Sequence, residues 1–239
     1  MSARDGEIKL TRESLADGSL RRWLAKTSPD LKIWSDEQIQ ASIDDTLAKR
    51  RDGAGDVWVF AYGSLIWNPS IHTVERRTAD VRGFHRRFCL WTHLGRGTAE
   101  CPGLMLALER GGSCRGVVYR IAAAQVQEEL TLLWRREMVT GAYRPRWVNA
   151  ATPEGPVRAI AFTMNGGHHR YAGRLPEAEV AAVLARAEGP LGRCCSYLFS
   201  TVQHLHELGI RDRHLERLAG LVETLQLGAV PDGGKAAAR

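Results

Sequence analysis

Between Lys49 and Lys235 the 239-residue chain contains no lysine. Every fixed positive charge in that body is an arginine, which excludes a lysine Schiff base and a phosphate-loop lysine there, and two enzyme classes with them. Apolar stretches are short. None approaches the roughly 18 to 20 residues of a membrane helix, and the opening MSARDGEIKL has no apolar segment of a secretory signal, so a cytoplasmic address without a membrane partner is expected. The five cysteines, Cys89, Cys101, Cys114, Cys194 and Cys195, form no C-x-x-C pair for zinc or redox chemistry and read as buried thiols. Several motifs are incomplete. HLHELGI (204–210) has Ile210 where a zinc-protease helix needs its second histidine, Gly95 and Gly97 do not extend to dinucleotide spacing, and Ser64 stands outside any G-x-S-x-G elbow.

What is present describes an ordinary soluble protein: 44% hydrophobic and 25% charged residues, enough for one sizeable core plus additions. The net charge of +6 is spread over dispersed arginines with no nucleic-acid reading motif, so no nucleic-acid partner is expected. Residues 1–55 read as a helical extension, with a capping box at Ser35 and Gln38 and an apolar face of Ile39, Ile43 and Leu47. A hinge ending at Asp56 separates this packing arm, which shows no chemistry of its own, from a main domain at 56–228; a flexible tail, 229–239, follows. Up to Ile121 the main domain reads as five short strands punctuated by glycines: VWVFAY, TVERRTADV, RRFCLWTH, LMLALE and RGVVYRI. A helix over 125–139, strands over 143–149 and 157–164, and three helical segments from Glu177 onward complete an α+β pattern.

Two places invite chemistry. In the helix over 125–139 the spacing puts Val126, Leu130, Leu133 and Trp134 on one face, and Glu137 falls on it too. Burial lifts a carboxyl pKa from about 4.3 toward neutrality, giving a group that can take and return a proton. The bland alternatives are an ion pair with Arg135 or Arg136, or a helix end that reaches solvent. The second place is FAYGSLIWNPS, where a strand breaks at Tyr62, Gly63 and Ser64. Such a break can present successive backbone N–H groups to a carboxylate or oxyanion; the alternative is a glycine bend in a buried strand. His168 and His169 read as loop-surface residues. Cys194 and Cys195 sit at a helix start, where thiols can be activated, though a buried structural role fits them better.

FAYGSLIWNPS, RRFCLW, GVVYRI, LWRREMVTGAY and GPLGRCCSYLF, in that order along the chain, resemble the ChaC-type γ-glutamylcyclotransferases. The resemblance implies a small mixed, mainly antiparallel β-barrel with flanking helices, no metal or organic cofactor, and cleavage of glutathione to 5-oxoproline and cysteinylglycine. It makes Glu137 the catalytic glutamate, makes Ala61, Tyr62, Gly63, Ser64, Leu65 and Ile66 the loop for the γ-glutamyl group, and adds Tyr143 as the tyrosine that follows the glutamate. Where eukaryotic relatives often read R-E-K-G-G-Y, this chain reads REMVTGAY, one residue longer, which bears on the local pocket shape. Arg136 reads as a salt bridge on the helix surface in preference to a substrate contact. A monomer or weak oligomer is expected. Two other readings stay open: a cyclotransferase for other γ-glutamyl amines, and a non-enzymatic regulator of cation transport, against which the intact Glu137 and YGSL argue.

Overall fold

The computed structural model describes residues 10–28, 31–51 and 53–228; the tail at 229–239 lies outside the described residues. Five strands close a mixed barrel in the order β1-β3-β2-β4-β5. Strand β1 (Val57–Ala61) is buried almost throughout, as its near-continuous apolar sequence requires. It runs antiparallel to β3 (Gly103–Ile121), with Ala61 opposite Val117, and parallel to β5 (Gly155–Met164), which closes the barrel. β2 (Glu75–Thr92) and β4 (Tyr143–Thr152) complete the wall.

The five short strands expected before Ile121 are three. TVERRTADV and RRFCLWTH join into the 18-residue β2, and LMLALE and RGVVYRI into the 19-residue β3. The glycines between them are not turns. Gly83 at φ +85° and Gly111 and Gly112 at +107° and +65° lie where the β2–β3 register shifts between Arg82 and Phe84. A bulge bends a strand without ending its pairing, and positive φ makes glycine its natural residue.

Helix α4 (Val126–Glu137) packs its apolar face on the barrel: Leu130, Leu133 and Trp134 are fully buried, and Trp134 meets Phe162 of β5 edge-on at 5.0 Å. The N-terminal arm covers the helix from outside. Its elements are α1 (Arg12–Ala16), α2 (Ser19–Thr27) and α3 (Asp36–Ala48), the last opened by the Ser35–Gln38 capping box. Ser42 of α3 accepts from Trp134 Nε1 at 3.0 Å, and Arg12 reaches the fully buried Glu129 at 2.5 Å. Helices α5 (Glu177–Arg186), α6 (Cys194–Glu207) and α7 (Arg213–Gly228) account for the three helical segments expected, with a two-residue hairpin, β6 (Glu188–Gly189) and β7 (Gly192–Arg193), before α6. Among the described residues no helix is long and apolar enough to cross a membrane.

Candidate functional site

A cleft of about 790 Å³, including its open mouth, lies between the end of β1, the end of α4 and the start of α6, a size suited to a small peptide. Its floor begins where β1 stops. After Tyr62 the chain turns at Gly63 into a single 3-10 turn, Ser64–Ile66, closed by the Ile66 N–H donating to the Gly63 carbonyl at 2.8 Å. Two buried side chains fix this turn: Tyr119 donates to the Ile66 carbonyl at 2.8 Å, and Arg86 to the Tyr62 carbonyl at 2.9 Å. Residues 62–65 face the cleft, whereas Ala61, inside β1, and Ile66, under the turn, flank it. Among the described residues the N–H groups of Gly63 and Leu65 have no acceptor, while Ser64 Oγ accepts from Arg136 Nη2 at 2.9 Å. A β-carbon on Gly63 would stand 2.7 Å from Tyr197 Oη, so glycine is what allows the turn and that phenol to share one wall.

Glu137 ends α4 with its side chain 14% exposed, and burial raises its pKa above the ordinary carboxylate value. Arg136 opposes that rise: its Nε lies 3.0 Å from Glu137 Oε1. The ion pair weighed from the sequence is therefore present, but not on the surface as expected. The Arg136 side chain is 3% exposed and donates to the Asn68 carbonyl, to Ser70 Oγ at 3.2 Å and to Ser64 Oγ at 2.9 Å. Ser70, at φ +55°, is the single non-glycine residue in the left-handed region among those described, a strained position held by Arg136 and Asn68.

Three phenols complete the inner wall. Tyr62 donates to the Phe162 carbonyl at 2.8 Å and Tyr143 to the Leu106 carbonyl at 2.9 Å, which leaves both phenol oxygens as acceptors. Burial first, with Glu137 contributing, lifts Tyr62 and Tyr143 well above a normal phenol, and Tyr197 to about 12, so all three stay protonated. The outer wall holds residues that the sequence did not single out: Leu10, Val139, Thr140 and Arg170. Leu10 brings the arm to the cleft, its carbonyl accepting from Asn68 Nδ2 at 2.9 Å. The arm is thus more than packing.

Other candidates lie elsewhere or are occupied. Cys194 Sγ is locked between the carbonyl and amide of Leu104, and burial pushes its thiol up to about 11, the opposite of activation. Ser64 Oγ is held by Arg136. His204 bonds the Ser200 carbonyl and stacks on Trp67, and His206 pairs with Glu216. His168 supports the loop through the Thr140 carbonyl at 3.1 Å. Among the described residues no group of three or more His, Cys, Asp or Glu side chains is placed to hold a metal ion.

A family model described as ChaC-like protein matches residues 57–225. The chain is 43% identical to a glutathione-specific γ-glutamylcyclotransferase of Escherichia coli over 94% of its own length and 96% of that protein. It is 33% identical to glutathione-specific γ-glutamylcyclotransferase 1 of Mus musculus, over 72% of this chain and 82% of that one. Among solved structures, a γ-glutamyl cyclotransferase specific to glutathione from yeast shares the fold with a TM-score of 0.66 at 23% identity, covering 71% of this chain and 96% of that one.

Proposed function

Because the chain belongs to the ChaC-like protein family, we propose that it is a γ-glutamylcyclotransferase that cleaves glutathione to 5-oxoproline and cysteinylglycine. The observation that carries the reading is a buried carboxyl, Glu137, with its pKa raised, in a cleft floored by the YGSL turn.

The substrate brings its own nucleophile. Its α-amine attacks the γ-carbonyl of the same glutamyl unit, a carbon–nitrogen bond forms and a five-membered lactam closes, so neither a serine nor a cysteine nucleophile is needed. What the protein must supply is the folded-back conformer and a proton carrier. Orienting an intramolecular attack is worth several kcal/mol. In our reading the free amides of Gly63 and Leu65 take the α-carboxylate, and the α-ammonium points its protons at Glu137 and at the phenol oxygens of Tyr62 and Tyr143, an acceptor-only lining suited to a cation. Glu137 removes one proton, freeing the lone pair to attack. When the tetrahedral intermediate collapses, the bond to the cysteinyl nitrogen breaks and the same carboxyl returns the proton to that departing amine; the second proton still on the ring nitrogen follows through the same carboxyl, so the lactam is left as a neutral amide and the amine departs as an ammonium. Atoms balance without water.

The test is release of 5-oxoproline and cysteinylglycine in equal amounts from glutathione, beside a panel of γ-glutamyl amino acids. Equal turnover of the panel would replace glutathione specificity with a general γ-glutamyl activity; no 5-oxoproline from any substrate would overturn the enzyme reading. The same proposal places the protein in the cytoplasm as a monomer or weak oligomer, which sedimentation checks.

Two variants probe the geometry. Glu137 must be ionised to accept the proton and its pKa is raised, so the acid limb of kcat/KM lies above 4.5. Arg136 pulls that pKa down; Arg136→Gln is therefore expected to move the limb to higher pH, and a limb that stays or falls would contradict the assignment. Gly63→Ala forces Tyr197 out of its wall position and is expected to lower kcat/KM about tenfold or more, read from initial rates with the melting temperature as a control for folding.

A further inference from the structure

Arg170 is a cation without an anion. It enters the cleft from the segment after β5, with its Nη2 donating to Thr140 Oγ1, and its Nε–H, closed off from water, has no partner. Among the described residues no carboxylate lies within ion-pair distance of it, although Arg136, the other guanidinium of the cleft, has Glu137 beside it and three oxygen acceptors. A buried charge left uncompensated is costly, and the cost disappears when a ligand delivers the opposite charge. The backbone of Arg170 is also held in advance: its N–H donates to His168 Nδ1 at 3.2 Å and its carbonyl accepts from the Trp91 N–H at 2.8 Å. Preorganisation of this kind suits a recognition residue.

We propose that Arg170 receives the carboxylate at the cysteinylglycine end of the substrate and so sets a preference for γ-glutamyl peptides that end in a free acid; the inference rests on the cyclotransferase reading. Glutathione carries two carboxylates and one ammonium. The Gly63 and Leu65 amides and the Glu137 side account for the α-carboxylate and the ammonium, both on the glutamyl unit. Arg136 is tied to Ser64, Asn68 and Ser70, and so belongs to that glutamyl side. Arg170 is tied to Thr140 and His168 at the outer wall, so the remaining charge of the substrate and the remaining charge of the cleft are opposite in sign. The guanidinium fork suits a carboxylate better than an ammonium head would.

The experiment compares kcat/KM for glutathione and for its glycine ethyl ester, which removes one charge and leaves the reacting glutamyl unit untouched. Wild type is expected to favour the acid by about tenfold to a hundredfold, the range of a charge-assisted hydrogen bond. In Arg170→Met the preference should fall to about twofold or less, through loss of rate on the acid; Arg170→Lys should keep part of it. Equal use of acid and ester by wild type would overturn the inference without any variant having to fold. So would a preference that survives Arg170→Met. A wild type that releases 5-oxoproline from neither compound would overturn the cyclotransferase reading itself, and this inference with it.

Discussion

Replacing Glu137 by glutamine is expected to lower kcat/KM for glutathione by about a hundredfold or more while the protein stays folded. Glutamine preserves the shape at the end of α4 and can still accept a hydrogen bond from Arg136 Nε, which stands 3.0 Å from the native carboxylate. It cannot carry a proton. The substrate's ammonium would then have to lose its proton to bulk water before attack, and the departing cysteinyl amine would have to gain one unaided. Measuring 5-oxoproline release alongside thermal denaturation separates chemistry from folding. A variant that keeps its rate would make Glu137 a structural partner of Arg136 and remove the proton carrier from the mechanism.

Arg86→Ala is expected to be the most destabilising single change, costing about 3 to 5 kcal/mol, with a fall in melting temperature on the order of 10 °C. Arg86 is 4% exposed and joins four parts of the chain. It donates to the Tyr62 carbonyl at the end of β1 and to the Arg115 carbonyl of β3, and its Nε lies 3.1 Å from Asp212, which caps α7 by accepting from the Leu215 N–H at 3.2 Å. Truncation strands two carbonyls and a carboxylate together. Because one of those groups belongs to the turn that floors the cleft, activity should fall before the protein melts. A melting temperature within about 2 °C of wild type, by the same scaling, would show that Arg86 is dispensable.

These residues also mark how far the sequence alone reaches. The periodicity of α4 and the apolar run of β1 are local signals, and the elements that carry Glu137 and the YGSL turn stand where those signals put them. The long strands β2 and β3 were hidden because a bulge glycine and a turn glycine look the same until pairing partners are known. Alternation does put Arg86 on the side of Phe88, but a lone arginine on an apolar face is ordinarily read as a mistake in the pattern, not as a buried hub. Glu129 lies four residues before Leu133, on the buried face, yet its burial is completed by Arg12 of the arm, more than a hundred residues away. Arg170 and Leu10 had no signal at all. Each reaches the cleft through irregular backbone whose course depends on tertiary contacts, and no spacing rule applies to it.

The missing lysines acquire a chemical meaning once the cleft is in view. A γ-glutamyl carbonyl poised for attack by an amine is an acyl donor, and any neighbouring primary amine could intercept it. The cations lining the cleft among the described residues, Arg136 and Arg170, are guanidiniums, donors with no free lone pair to offer. From residue 50 to residue 234 the chain contributes no ε-amine. Over that stretch, charge is thereby supplied without a rival ε-amine beside the acyl donor.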